Sequence, residues 1–307
     1  MAAIVCKPDA GYARFQDFQE TTHGMNAIHK VGILGGGTMG RGIAAAVAQA
    51  GLDVLLCEKD QASAESALAK IAEEFDHEIS RWALTAGDKR TLLSRIAVTS
   101  ELAQVAGPDL LIEAVPEEFD LKVRLFKQLS ELCPPDRIFV TNTSTLSITK
   151  MGEQLVNPRR FIGVHFLNPV TKVKLVELIR GLKTSDATYQ QVREFLIGLG
   201  KTPIEVYEYP GYVTTRVMLP MINEAMQVVL EGVSSAEDVD TAMKLGYNMD
   251  IGPLALADRM GLDEVLKWME HLFRELGDLK YRPCPILRMK VRAGHLGVKT
   301  GKGFFEY

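Results

Sequence analysis

The chain has 307 residues, 47% hydrophobic and 24% charged, with 35 basic against 39 acidic side chains and a formal charge of −4. That length holds about two domains, and the composition excludes a disordered chain. The near balance of charge gives no general pull toward nucleic acid or an anionic membrane surface.

Cys6, Cys57, Cys133 and Cys284 are scattered, with no CxxC spacing. This argues against a disulfide framework or a structural zinc site and fits a reducing, cytoplasmic setting. No stretch reaches the roughly 18 apolar residues that span a bilayer. Residues 1–28 mix Lys7, Asp9, Arg14, Asp17 and Glu20 with no continuous apolar run. They match neither a secretory signal nor an acid-poor presequence, and the segment is expected to be a disordered extension.

From Lys30 onward the pattern is regular. Lys30-Val-Gly-Ile-Leu34 reads as a buried strand that ends in glycines, followed by a helix from Thr38 to Ala50 and a strand over Asp53–Cys57. Ala64, Leu68, Ile71, Phe75, Ile79 and Trp82 recur at spacings of three and four, which predicts a long helix with one apolar stripe. Further strands are expected at Asp109–Ala114, Ile138–Asn142 and Phe161–Phe166, with a helix over Asp120–Leu132. Strands alternating with helices imply an α/β fold with a doubly wound, mainly parallel sheet. Beyond Pro210 the pattern turns helical, opening on Val213, Val217, Met221, Ala225 and Val229. The expected division is a Rossmann-type domain over 29–209 and an all-helical domain over 210–307.

Gly35-Gly-Gly37-Thr38-Met39-Gly40 fits GxGxxG, follows a strand, opens a helix and has Glu58 downstream at the end of the next strand. Gly35 permits a tight turn, Gly37 a close approach of a pyrophosphate, and Gly40 tight packing of helix on strand. The free N–H groups and the helix dipole then hold the anion. A carboxylate at Glu58 can accept from both ribose hydroxyls and repels a 2′-phosphate, which points to NAD over NADP. An ordinary solvated glutamate is the competing reading.

His165 ends the apolar run Phe161–Phe166. In the next segment, period-2 alternation puts Glu177 on the same face as Val173, Leu175 and Ile179. A carboxylate on an apolar face is costly unless paired, so His165 and Glu177 are expected partners across the Asn168–Lys172 turn. Such a pair fixes the imidazole tautomer and stabilises the imidazolium, as alcohol oxidation with NAD requires. A purely structural ion pair is the alternative. Thr141-Asn142-Thr143-Ser144 falls at the carboxyl edge of the sheet, where such folds bind ligands, although Ser and Asn also favour turns and caps.

Together these motifs, with Glu113–Glu117, His165-Phe-Leu-Asn168-Pro169, Pro210-Gly-Tyr212 and the closing Lys299–Tyr307 stretch, resemble the L-3-hydroxyacyl-CoA dehydrogenase family, including its 3-hydroxybutyryl-CoA dehydrogenases. The likeness runs from about Lys30 to Tyr307. It implies an acyl-CoA thioester substrate, short in chain, and a homodimer built by the helical domain. It also implies His165 as general base, Glu177 as its orienting partner and Ser144 on the substrate oxygen. Asn168 would lie beside the nicotinamide, with Glu117, Lys122, Asn142 and Lys299 as further NAD contacts.

The sequence departs from the family at one place: family members read Asn where this chain has Thr215. Threonine keeps one donor and two acceptor lone pairs but loses the amide's reach. A dehydrogenase of a free hydroxy acid, like the gulonate dehydrogenases, and a non-catalytic NAD-binding structural protein, like certain lens crystallins, are the competing functions.

Overall fold

The computed structural model describes residues 28–307. The expected N-terminal extension falls outside the described residues, save for Ile28, which packs partly buried against the N-terminal core.

The first half alternates strictly enough to wind a sheet from both sides. Its elements are β1 (Lys30–Leu34), α1 (Thr38–Gln49), β2 (Asp53–Cys57), α2 (Gln61–Ser80), α3 (Ala86–Ser94), β3 (Ile96–Thr99), β4 (Leu110–Glu113), α4 (Phe119–Leu132), β5 (Ile138–Thr141), α5 (Ile148–Gly152), β6 (Phe161–Phe166), β7 (Leu175–Arg180), α6 (Asp186–Gly198) and β8 (Thr202–Tyr207). The strand order is β3-β2-β1-β4-β5-β6-β7-β8, parallel throughout except for the antiparallel β6–β7 pair. Because side chains alternate along a strand, Val31, Ile33, Leu110 and Ile112 pack under α1, α2 and α6, whereas Leu34, Leu111, Phe139 and Phe161 pack under α4 and α5. The order reverses between β1 and β4, so the crevice beyond their carboxyl ends is the ligand position of this architecture.

Five helices follow: α7 (Thr214–Leu230), α8 (Ala236–Tyr247), α9 (Pro253–Met260), α10 (Leu262–Leu276) and α11 (Pro285–Arg292). They enclose a separate core of Leu219, Ile222, Met226, Leu254, Val265, Met269, Leu272 and Leu287. Asp258 is buried within it and accepts the N–H groups of Phe304 and Phe305, which pins the C-terminal tail onto α9.

Two expected apolar stripes need correction. Trp82 does not continue α2: the helix stops at Ser80, and Trp82 takes a left-handed φ of 60° and stands 96% exposed. On α7, Val217 is 70% exposed. The buried face is Leu219, Ile222 and Met226, because a strict four-residue series drifts around a helix of 3.6 residues per turn and leaves the core. The strands β3 and β8 and the helices α3 and α6 were not anticipated. The strands are short or peripheral, and Pro203 interrupts the β8 pattern.

Candidate active site

The glycine turn follows β1. Gly35 has φ of +99°, and a Cβ there would stand 2.7 Å from the Ala114 carbonyl oxygen of the neighbouring strand end. A Cβ at Gly40 would lie 1.8 Å from the Gly35 carbonyl oxygen, so the crossing of helix and turn admits no side chain. Gly37 differs: its Cβ would meet nothing within 4 Å, and the residue opens onto solvent.

The internal ladder of α1 begins with Arg41 N–H on the Gly37 carbonyl at 3.0 Å. The N–H groups of Thr38, Met39 and Gly40 are therefore left at the head of the helix, with no capping side chain and no acidic residue in the first turn. A pyrophosphate fits this cradle in space and in charge. At the end of β2, Glu58 accepts the Lys59 N–H at 3.1 Å with one oxygen and the Gly36 N–H with the other. Each oxygen keeps a lone pair for a ligand hydroxyl.

A buried charge cluster closes the ends of β4 and β5. Lys122, on α4, is fully buried. Its Nζ lies 3.0 Å from Glu113, 3.0 Å from Glu117 and 2.7 Å from the Asn142 carbonyl oxygen. An ammonium has three donors, and all three are directed at protein acceptors. Lys122 thus braces the loop ends.

Burial pushes the Lys122 ammonium down, but Glu117 and Glu113 outweigh it and hold the group above the usual lysine value. Burial raises the Glu113 carboxyl, with Lys122 and Thr141 only partly countering. Glu117 is also raised by burial, but Lys122 and its bonds to Thr143 and Ser144 bring it below the ordinary range. Glu117 accepts the Ser144 N–H at 2.9 Å and so shapes the loop after β5. Asn142 uses its Oδ1 to accept the Phe166 N–H at 3.1 Å, tying that loop to β6.

His165 and Glu177 are direct partners in the antiparallel β6–β7 register. His165 Nδ1 lies 2.6 Å from Glu177 Oε2, and Ser144 Oγ lies 3.1 Å from His165 Nε2. The bond to the carboxylate places the proton on Nδ1, so Nε2 carries the lone pair and the Ser144 hydroxyl donates to it. Glu177 is fully buried. Burial raises its carboxyl, but His165 and Thr214 outweigh that and hold it below the usual carboxylate range.

Three groups from the second half of the chain complete the site. The Tyr212 hydroxyl donates to the Leu146 carbonyl at 3.0 Å, and His271 Nε2 lies 3.2 Å from the Thr145 carbonyl. Glu208 accepts from Ser147 and Thr149. All three fasten the loop that bears Ser144. The arrangement can hold an oxygen between a hydroxyl donor and a basic nitrogen whose charge is balanced from behind.

Residues 30–209 match the NAD-binding domain of 3-hydroxyacyl-CoA dehydrogenases, and residues 211–307 match their C-terminal domain. The chain belongs to the 3-hydroxyacyl-CoA dehydrogenase family. It is 44% identical over 280 residues to a probable 3-hydroxybutyryl-CoA dehydrogenase of Bacillus subtilis, covering 91% of this chain and 98% of that one. A crystal structure of (S)-3-hydroxybutyryl-CoA dehydrogenase from Ralstonia eutropha superposes with a TM-score of 0.86 at 46% identity, covering 92% and 99% of the two chains. A diketoreductase acting on dicarbonyl compounds superposes at 0.80 with 30% identity, covering 92% and 100%. The chain is an NAD-dependent dehydrogenase of the 3-hydroxyacyl-CoA class, and NAD is its cofactor.

The dehydrogenase brings together most of the residues its sequence singles out. Ser144, His165 and Glu177 form one chain of contacts, and Gly35, Gly37, Thr38, Met39 and Gly40 form the turn and helix head that Glu58 touches through the Gly36 N–H. Asn168 stands exposed on the turn beyond β6, and Lys299 pairs with Asp263 at 2.7 Å beside the start of α10.

Thr215 is buried on α7. The residue that reaches the dyad is Thr214. Neighbouring positions on a helix point about 100° apart, so Thr215 is aimed in a different direction from Thr214. Sequence reasoning missed Thr214, Tyr212, Glu208 and His271. Tyr212 lies within the Pro210-Gly-Tyr212 motif, the signal by which it could have been found.

Proposed function

We propose that the dehydrogenase interconverts (3S)-3-hydroxyacyl-CoA and 3-ketoacyl-CoA of short chain, with His165 as the proton acceptor. The observation that carries this reading is the unbroken line Ser144–His165–Glu177 at the carboxyl edge of the sheet. The glycine turn lies at the same edge, against the end of β4.

The substrate oxygen would sit between Ser144 Oγ and His165 Nε2. Ser144 donates to it and fixes its position, while Nε2 takes the hydroxyl proton. Glu177, ionised and already bonded to Nδ1, stabilises the imidazolium that results. In reduction the same Nε2–H returns the proton and Ser144 steadies the charge that gathers on the oxygen. NAD, held by the head of α1 and by Glu58, supplies the hydride acceptor when bound. Asn168 and Lys299 would line the cofactor's other side, and Glu117 would face it from the loop after β4.

A homodimer accords with the groove between α7 and α11, where Met221, Leu230, Leu279 and Met289 leave apolar surface uncovered. Cytoplasmic residence accords with the unpaired thiols of Cys57, Cys133 and Cys284.

The deciding assay is NADH consumption on a ladder of 3-ketoacyl-CoA lengths, run beside free keto acids and diketones. Fastest turnover on acetoacetyl-CoA is expected. Preference for the free acids would shift the reading to a hydroxy-acid dehydrogenase. Absence of turnover on every substrate would favour a structural NAD-binding protein.

A further inference from the structure

A helix begins with N–H groups that lack internal partners, and a side chain at its N-cap usually accepts one or two of them. At α7 the N-cap residue is Val213, which has no acceptor to offer. Its place is taken from a strand 36 residues upstream: Glu177 Oε1 accepts the Val213 N–H at 2.8 Å and the Thr214 N–H at 2.9 Å. The second oxygen, Oε2, accepts the Thr214 hydroxyl at 2.7 Å and is the same atom that faces His165 Nδ1. Every strong donor direction at this carboxylate is therefore filled, three of the four from the first turn of the helical domain.

We propose that Thr214 is a positioning residue, which together with the head of α7 holds Glu177 ionised and turned toward His165. The carboxylate that orients His165 thus doubles as the N-cap of α7. This rests on the role given to Glu177 under the proposed function, but the capping geometry stands apart from it.

The physical sense is that a fully buried carboxylate pays a large desolvation cost, and one histidine does not compensate it. Hydrogen bonds to the charged form, and the positive end of a helix dipole, recover that loss. The hydroxyl shares Oε2 with His165 and so fixes the carboxylate plane.

The titratable groups around Glu177 are few. His165 faces it from β6, and β8 sets Ile204 beside it. Tyr212 approaches from the linker, but burial pushes its phenol well above the usual value, so it stays neutral. The charges of Glu117 and Glu208 also push the Tyr212 phenol upward. None of these replaces the Thr214 hydroxyl.

The test is a carboxyl-carbon NMR titration of Glu177 in the ligand-free protein, with the resonance assigned by its loss in Glu177→Gln. Thr214→Val keeps the shape of the side chain and removes the donor, and Thr214→Ala does so without the branched methyls. In whichever folds, the Glu177 midpoint should rise by about one pH unit relative to wild type. Thr214→Ser should restore the wild-type midpoint.

The acid limb of the pH profile for alcohol oxidation should move in the same direction in the Val or Ala variant, with KM for NAD unchanged. An unmoved midpoint with merely lowered stability would make Thr214 structural and overturn the proposal. If wild type failed to turn over any 3-hydroxyacyl-CoA, the proposed function would fall. The titration would still decide the role of Thr214.

Discussion

Replacing Lys122 by methionine isolates what the buried cluster does. The substitution keeps the length and apolar stem of the side chain but leaves Glu113 and Glu117 facing each other without a cation. Three contacts disappear, at 3.0, 3.0 and 2.7 Å, and the Asn142 carbonyl loses its partner. Breaking a buried ion pair by removing one partner costs about 3–5 kcal/mol, out of a total stability of about 5–15 kcal/mol.

The loss should depend on pH with a definite sign. Glu113 already sits above the ordinary carboxylate range because of burial, and Lys122 is the main influence that lowers it. Without Lys122 the folded value climbs further. A carboxyl raised in the folded state favours folding while protonated, and that contribution is lost as pH rises through the folded value. The Lys122→Met deficit should therefore be larger at about pH 8 than at about pH 5.

Urea unfolding at the two pH values, with far-ultraviolet circular dichroism as the probe, measures both quantities. A deficit under about 1 kcal/mol at about pH 8, or one that fails to shrink on acidification, would refute the reasoning. Titration of the folded variant with NADH separates bracing from contact: as a brace, Lys122 should leave affinity within about tenfold of wild type.

The two helix-head glycines should fail in different ways. Gly40→Ala drives a methyl into the Gly35 carbonyl and should destabilise the fold, whereas Gly37→Ala should melt like wild type yet lose NADH affinity; thermal melts and NADH fluorescence separate them. His165→Ala should cut turnover by about 10²–10⁴-fold, the usual range for general-base catalysis, with NADH binding intact in equilibrium titration. Near wild-type turnover would end the mechanism. Thr215→Asn should preserve the fold and raise turnover on acetoacetyl-CoA modestly, since one neutral hydrogen bond is worth about 0.5–1.5 kcal/mol. Steady-state kinetics showing no gain would mean that Thr215 only packs.

How much was legible in the chain depended on sequence distance. The glycine turn, Glu58 and the first two strands form a continuous local pattern, and their elements appeared where the periodicity placed them. His165 and Glu177 were paired by one argument, the cost of a carboxylate on an apolar face, and that argument survives because only a short turn separates the strands.

Lys122 shows where such reasoning stops. On a helix a lysine reads as a solvated charge, and nothing local says that two glutamates and a carbonyl converge on it. Thr214 was hidden for the same reason. Its partner lies 37 residues away, and the family pattern breaks one position later, at Thr215. The α7 stripe erred because spacing alone does not reveal which side of a helix meets the core.

The in-register hairpin that joins His165 to Glu177 also limits how this chain can change length. Within β6 or β7, adding or deleting one residue would carry one member of the pair to the opposite face of the sheet and separate the base from its carboxylate. Between Leu167 and Lys174 the constraint relaxes, because a turn can absorb residues without moving either strand. Lys201 narrows that freedom at two points, since its ammonium reaches the carbonyls of Val170 and Val173. Length variation that spares catalysis should therefore fall at the exposed Thr171 and Lys172, between those two anchors and clear of Asn168. Relatives could differ there in length while keeping the pair intact.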